Sequence, residues 1–195
     1  MNYLAHAYLS FHDPELLVGN LISDFVKGKK KFDYSSGIQS GIALHRAIDN
    51  FTDGYWATKE AKEIFRPAYR LYSGAMVDVV YDHFLATDIR IFSTGSLLQF
   101  STEVYETMEP YLPGLPEHFQ KMFPYMKQHD WLFNYQFNWG IERSFGGLVR
   151  RATYLYESET AFGLFNQHYS QLKSCYDKFF PELVQMAKEF INKMA

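Results

Sequence analysis

Apolar residues recur along this chain at intervals of three and four rather than two, and that period predicts helices from end to end. Residues 2 to 11 read as a short helix with Leu4, Ala7, Tyr8 and Phe11 on one face. Asp13-Pro14-Glu15 is a start signal, with a capping carboxylate, a proline suited to the first helical position and an acid at the positive end of the dipole. The helix it opens runs from Leu16 to Lys27, where Gly28 stops it. Further helices are expected over Gly41 to Asp53, Lys59 to Phe65 with Thr58 as cap and a break at Pro67, and Tyr69 to Phe92 with a bend near Gly74. Ser96 to Leu112, Glu117 to Met126, Ile141 to Arg151, Tyr154 to Tyr176 and Pro181 to Met194 complete the set. With no β pattern, repeat or linker in sight, residues 1–195 read as one all-α domain, a multi-helix bundle.

Polar residues interrupt this pattern in rows. His45, Asp49 and Asp53 follow one another at one-turn spacing beside the apolar stripe of Leu44, Ile48 and Phe51. Asp78 and Asp82 repeat the arrangement, with His83 adjacent, among Val77, Val80, Tyr81, Phe84 and Leu85. Asn20 and Asp24 lie one turn apart on a helix that is otherwise apolar nearly all round. Burying so many carboxylates costs roughly several kcal/mol each unless positive charge compensates. Few Lys or Arg residues lie within these segments, so ordinary ion pairs account for the rows less well than a divalent cation does. A set of His and Asp without paired Cys suits Mn²⁺, Mg²⁺ or Fe²⁺ better than a structural zinc. His6, taken alone, reads as a hydrogen-bonded core histidine.

Composition narrows the options. The net charge of -3 excludes a nucleic-acid binder working by bulk positive charge. A single cysteine, Cys175, rules out an internal disulfide and points to a reducing compartment, by default the cytoplasm. No apolar run is long enough to span a bilayer, and the histidine in the apolar start argues against a signal peptide. Lys27, Lys29, Lys30 and Lys31 read either as a solvated helix end or as a docking patch for an acidic partner. Arg150 and Arg151 can bind an anion or form surface ion pairs. Aromatics make up 18% of the chain, and their density over residues 119 to 139, greatest between Trp131 and Trp139, has no role assignable from the sequence.

The segments Met1-Asn2-Tyr3-Leu4-Ala5-His6, Gly19-Asn20-Leu21 with Asp24-Phe25-Val26-Lys27-Gly28, Leu44-His45-Arg46 with Ile48-Asp49 and Thr52-Asp53, and Asp78 with Asp82-His83-Phe84-Leu85 together resemble the acyl carrier protein phosphodiesterases, a divergent branch of the HD metal-dependent phosphohydrolases. The adjacent pair here reads Asp82-His83, the reverse of the usual HD order. The resemblance implies an HD-phosphohydrolase-like helical fold. It also implies Mn²⁺-dependent hydrolysis of the phosphodiester joining 4'-phosphopantetheine to a serine of holo acyl carrier protein. Within that scheme Asp24, His45, Asp78 and Asp82 are the expected metal ligands, and Asn20, Asp49 and Asp53 their supports. His83 or His6 is the expected general acid, Arg46 a phosphate clamp, and the four lysines the surface that meets the acidic carrier. Two other readings stand beside it: a phosphohydrolase acting on a nucleotide or another small phosphoester, and a helical binding protein without catalysis. The oligomeric state is not set by the sequence.

Overall fold

Asp13 opens the second helix as its sequence predicts, accepting the Leu16 amide at 2.9 Å. The computed structural model describes residues 1–194, and among them every regular element is helical. In chain order these are α1 (Tyr3–Tyr8), α2 (Pro14–Ile22), α3 (Ser36–Gly54), α4 (Trp56–Tyr69), α5 (Ser73–Ala86) and α6 (Ser96–Met108). The remainder are α7 (Glu117–Gln128), α8 (Trp131–Asn134), α9 (Asn138–Arg151), α10 (Glu159–Gln167) and α11 (Tyr169–Met194). No helix among the described residues is long and apolar enough to cross a membrane.

The buried apolar residues form one connected cluster. Helix α5 runs through it, with Val77, Val80, Tyr81, Phe84 and Leu85 fully buried and each stabilising the fold by roughly 1.5–3 kcal/mol. Much of the aromatic content lies between α5 and α11, where Tyr81 stacks on Phe179 with centroids 5.1 Å apart and Phe84 meets Tyr176 at 5.7 Å.

Helices α2 and α3 touch through glycine. A Cβ on Gly19 would stand 2.1 Å from the Ile38 carbonyl oxygen, and one on Gly41 would stand 2.4 Å from that of Leu16. The two backbones are therefore in direct contact one residue before Asn20 and one turn before His45.

Several element boundaries depart from the sequence expectation. The helix expected to reach Lys27 ends at Ile22 and continues as a tight 3-10 turn, Ser23–Phe25, so Asp24 is exposed rather than held on the buried helix with Asn20. Pro67 does not break α4: it sits on the solvent side, where water can satisfy the carbonyl left without a donor. The break comes at Arg70, with φ 46°. The helix expected over Tyr69 to Phe92 is shorter, Ser73–Ala86, and the one expected over Ser96 to Leu112 closes at Met108 into a 3-10 turn. Pro181 lies within α11, and the segment expected as one helix from Tyr154 divides into α10 and the start of α11.

Candidate metal centre

His6, near the end of α1, and His45, in the middle of α3, stack face to face with ring centroids 4.0 Å apart and planes within 13°. Asn20 of α2 holds both. Its side-chain oxygen lies 2.7 Å from His6 Nδ1 and its backbone carbonyl 2.7 Å from His45 Nδ1. Asn20 is itself fixed, because its amide donates to the His6 carbonyl at 2.8 Å and to Ser10 Oγ at 3.1 Å. Oxygens of this kind only accept, so each Nδ1 carries a hydrogen and each neutral ring presents its lone pair at Nε2. Both Nε2 atoms are buried and make no hydrogen bond.

Carboxylates face these lone pairs. Asp49, one turn after His45, places Oδ2 3.1 Å from His45 Nε2 and Oδ1 3.3 Å from His6 Nε2. Asp24 Oδ1 lies 3.3 Å from His45 Nε2. One donor atom each from His6, His45 and Asp49 lies within 4.8 Å of the others. Acceptors so arranged repel one another unless positive charge stands among them, either a proton on His45 Nε2 or a metal ion that takes its place. A metal with bond lengths of about 2.1 Å separates adjacent ligands by roughly 3 Å in octahedral geometry, and the observed spacing fits. Carbonyl-oriented imidazoles are also the usual support of metal-bound histidines.

The electrostatics follow. Burial pulls the His45 imidazole down, but the Asp24 and Asp49 carboxylates outweigh it and raise the group to about 9. Burial and then the charge of His45 push His6 down to about 4, against the pull of Asp49. Burial opposes ionisation of Asp49, yet its contacts with His45, His6 and the Met1 α-amino group hold it far below the usual carboxylate range. That α-amino group lies 3.2 Å from both Asp49 Oδ1 and Asp78 Oδ1.

The structure reassigns several expected residues. His6, expected as a general acid, lies within the donor cluster, and the carboxylate of Asp49, expected as a support of His45, faces the Nε2 atoms of both histidines. Asp78 borders the same cavity, with the Met1 amine as its partner. Asp82, expected as a ligand, lies outside the donor cluster: fully buried, it accepts the Leu4 amide at 2.8 Å and the Ala5 amide at 3.2 Å, capping α1 and so setting the position of His6. His83, expected as a general acid, does not border the cavity over the cluster. Its Nδ1 donates to the Tyr135 carbonyl at 2.8 Å and its Nε2 meets the Tyr169 hydroxyl at 3.1 Å, away from the cluster. Asp53 falls eight residues after His45, about 80° off its face, and pairs with Lys62 at 2.6 Å on the surface. Arg46 points to solvent for the same helical reason and does not border the cavity.

Burial raises the Asp82 carboxyl to about 7, against the Leu4 and Ala5 amides and the α-amino charge. A raised acid favours the folded state while protonated. That contribution is whole below the unfolded value near 4 and lost as pH climbs to about 7, a difference of about 4 kcal/mol. Denaturant melts of Asp82→Asn against wild type should show the two stability curves diverging across that interval; parallel curves would remove the assignment.

The cavity over the cluster measures about 400 Å³ and is bordered by Tyr3, Phe25, His118 and Arg151 besides His6, His45 and Asp24. His118 had no motif to single it out; it comes from α7, far away in sequence. Arg151 also borders a neighbouring cavity, with Arg150. Lys27, Lys29 and Lys30 are exposed and Lys31 is half-buried, on the turn that follows Asp24.

Comparison with known proteins agrees over the whole length. The sequence model of the acyl carrier protein phosphodiesterase family matches residues 1–183. An acyl carrier protein phosphodiesterase of Klebsiella pneumoniae strain 342 is 34% identical, with 96% of this chain and 98% of the relative aligned. Those of Photorhabdus laumondii and Yersinia pestis are 31% and 32% identical, aligning 96% of this chain in each case and 96% and 98% of the relatives. No solved structure matches the chain. With the match running from the helix that carries His6 to the far end of the core, this chain belongs to the acyl carrier protein phosphodiesterase family.

Proposed function

We propose that this protein is a metal-dependent phosphodiesterase that hydrolyses the bond between 4'-phosphopantetheine and the serine of holo acyl carrier protein, releasing apo carrier. The observation that carries the reading is the convergence of two buried Nε2 atoms, neither of them hydrogen-bonded, with the Asp49 and Asp24 carboxylates. His6, His45 and Asp49 would hold the ion, with Asp24 beside them, and Mn²⁺ is the expected metal, with Mg²⁺ and Fe²⁺ as alternatives suited to the same donors. Once bound, such a cation neutralises phosphate charge and activates water for attack on phosphorus.

The chain's own residues supply the rest. Asn20 keeps both imidazoles in the tautomer that leaves Nε2 free. Asp24 and Asp78 put carboxylates on the cavity wall, so an incoming phosphodiester needs compensating positive charge, to which the exposed Arg151 contributes a planar fork of donors. Serine alkoxide is a poor leaving group, and His118, an exposed imidazole on the cavity wall, is placed to give it a proton. The lone Cys175 supports a reducing compartment, and we infer the cytoplasm.

The direct test is purified protein with Mn²⁺ and holo carrier, followed by intact mass. Loss of the phosphopantetheine mass from the carrier is expected, and no loss in the presence of any of the three metals would end the proposal. Lys27, Lys29, Lys30 and Lys31 offer a surface for an acidic carrier, guiding encounter more than adding affinity. Reversing all four charges is expected to raise KM for holo carrier roughly 10-fold or more at low salt, with the difference fading as salt is added. Metal content should stay as in wild type. Identical kinetics in the two proteins would remove the lysines from the account.

A further inference from the structure

Beside the metal centre lies a larger cavity of about 570 Å³, enclosed by α7, α8, α9 and the start of α1. The two cavities share Asn2, Tyr3 and Arg151 in their walls. The larger one is walled by Trp131, Tyr135 and Trp139, with Arg143 and Arg150 joining Arg151 as its cations and Asn2, Asn134 and Ser144 among its neutral polar groups. Tyr125 and Trp139, both on this wall, are 62% and 44% exposed, and Trp139 is held in place by stacking on Phe137 at 5.6 Å and by the Arg143 guanidinium 5.0 Å from its ring. Gly147 of α9 is part of the wall too, and a Cβ there would meet only guanidinium nitrogens of Arg151 and Arg150, at 3.7 and 3.8 Å.

We propose that this aromatic cavity receives the pantetheine arm of the substrate while the phosphodiester sits over His6 and His45. The inference rests on the phosphodiesterase reading above. An arm esterified to a phosphate at the metal centre has to leave that cavity, and the second one adjoins it at Tyr3 and Arg151, which line both. The arm is uncharged, with two amides, a gem-dimethyl group and a thiol. Aromatic walls with a few hydrogen-bonding groups suit it, and the volume lies in the range of small-molecule sites, about 300–1,000 Å³. Arg151, common to both cavities, marks the phosphate end. This also gives the aromatic run at residues 131–139 a purpose that its spacing did not reveal.

The experiment is a titration of the metal-free protein with pantetheine, which lacks phosphate, read by tryptophan fluorescence, with Mn²⁺-dependent cleavage of holo carrier measured in parallel. Saturable quenching in wild type is expected, and it should persist in His45→Ala. Leucine favours helix, and the space at Gly147 accepts a Cβ without a clash, so Gly147→Leu should fold while filling the cavity. It is expected to weaken pantetheine binding and to lower kcat/KM for holo carrier by about tenfold or more, with Mn²⁺ affinity unchanged. Trp139→Ala, which removes a wall without adding bulk, should move both in the same direction. Wild type that cleaves holo carrier yet shows no pantetheine response, with Gly147→Leu cleaving at the wild-type rate, would overturn the cavity assignment and leave the phosphodiesterase reading intact. Pantetheine binding that Gly147→Leu abolishes, in a protein that cleaves no holo carrier, would sustain the assignment of the cavity and overturn the reading.

Discussion

Alanine in place of His6 or His45 is expected to weaken binding of Mn²⁺ by more than about 100-fold and to abolish cleavage of holo carrier, because loss of a donor should exceed the 10–100-fold cost of losing a support. The two imidazoles are equivalent in kind. Each is oriented at Nδ1 by Asn20, each has a buried Nε2 without a hydrogen bond, and each lies against Asp49. Calorimetric metal titration with a thermal melt of the same samples separates this from misfolding, since α1 keeps its anchor through Asp82 when His6 is shortened. Asn20→Ala removes the oxygen that orients His6 but not the backbone carbonyl that orients His45, so its loss of affinity should be smaller than that of either histidine variant. Wild-type metal affinity in His6→Ala would show that the stacked pair is structural.

The second large effect concerns a residue with no polar atom in its side chain. Gly19→Ala would drive a methyl group to 2.1 Å from the Ile38 carbonyl oxygen, and neither backbone can give way without parting α2 from α3. Overpacking of this kind costs roughly 1–3 kcal/mol or more, which for a domain near 200 residues lowers Tm by roughly 3–10 °C. The local consequence matters more. Parting the helices moves the Asn20 carbonyl away from His45 Nδ1, now 2.7 Å apart, so metal affinity should fall together with stability. Gly41→Ala, with its methyl 2.4 Å from the Leu16 carbonyl oxygen, should do the same. A surface glycine provides the control: Gly114 has open space around it. If Gly19→Ala melts and binds metal as wild type does, the glycine contact does not hold the site.

How far the sequence carried can be judged from single residues. Helical periodicity made the all-α class legible, and the one-turn interval between His45 and Asp49 put both on one face, because residues four apart on a helix are neighbours wherever the helix goes. The same rule failed for Asp53, where two turns of a 3.6-residue helix accumulate enough drift to bring the side chain to solvent and Lys62. It also failed for Asp24, since the helix ends at Ile22 and a tighter turn takes over.

What the sequence determined by itself was local: which segments are helical, which residues share a face, and that these faces hold more acid than nearby basic residues neutralise. What only the tertiary structure decided was which of those faces meet. His6 read as an ordinary core histidine until α1, anchored by Asp82, set its ring on that of His45. Asp82 and His83 had the spacing of ligands but face an amide terminus and an aromatic seam. His118 and the walls of the larger cavity come from α7 to α9, more than sixty residues from His45. Periodicity fixes direction about one helix axis only; the angle and distance between axes come from packing, here from two glycines that let α2 and α3 touch.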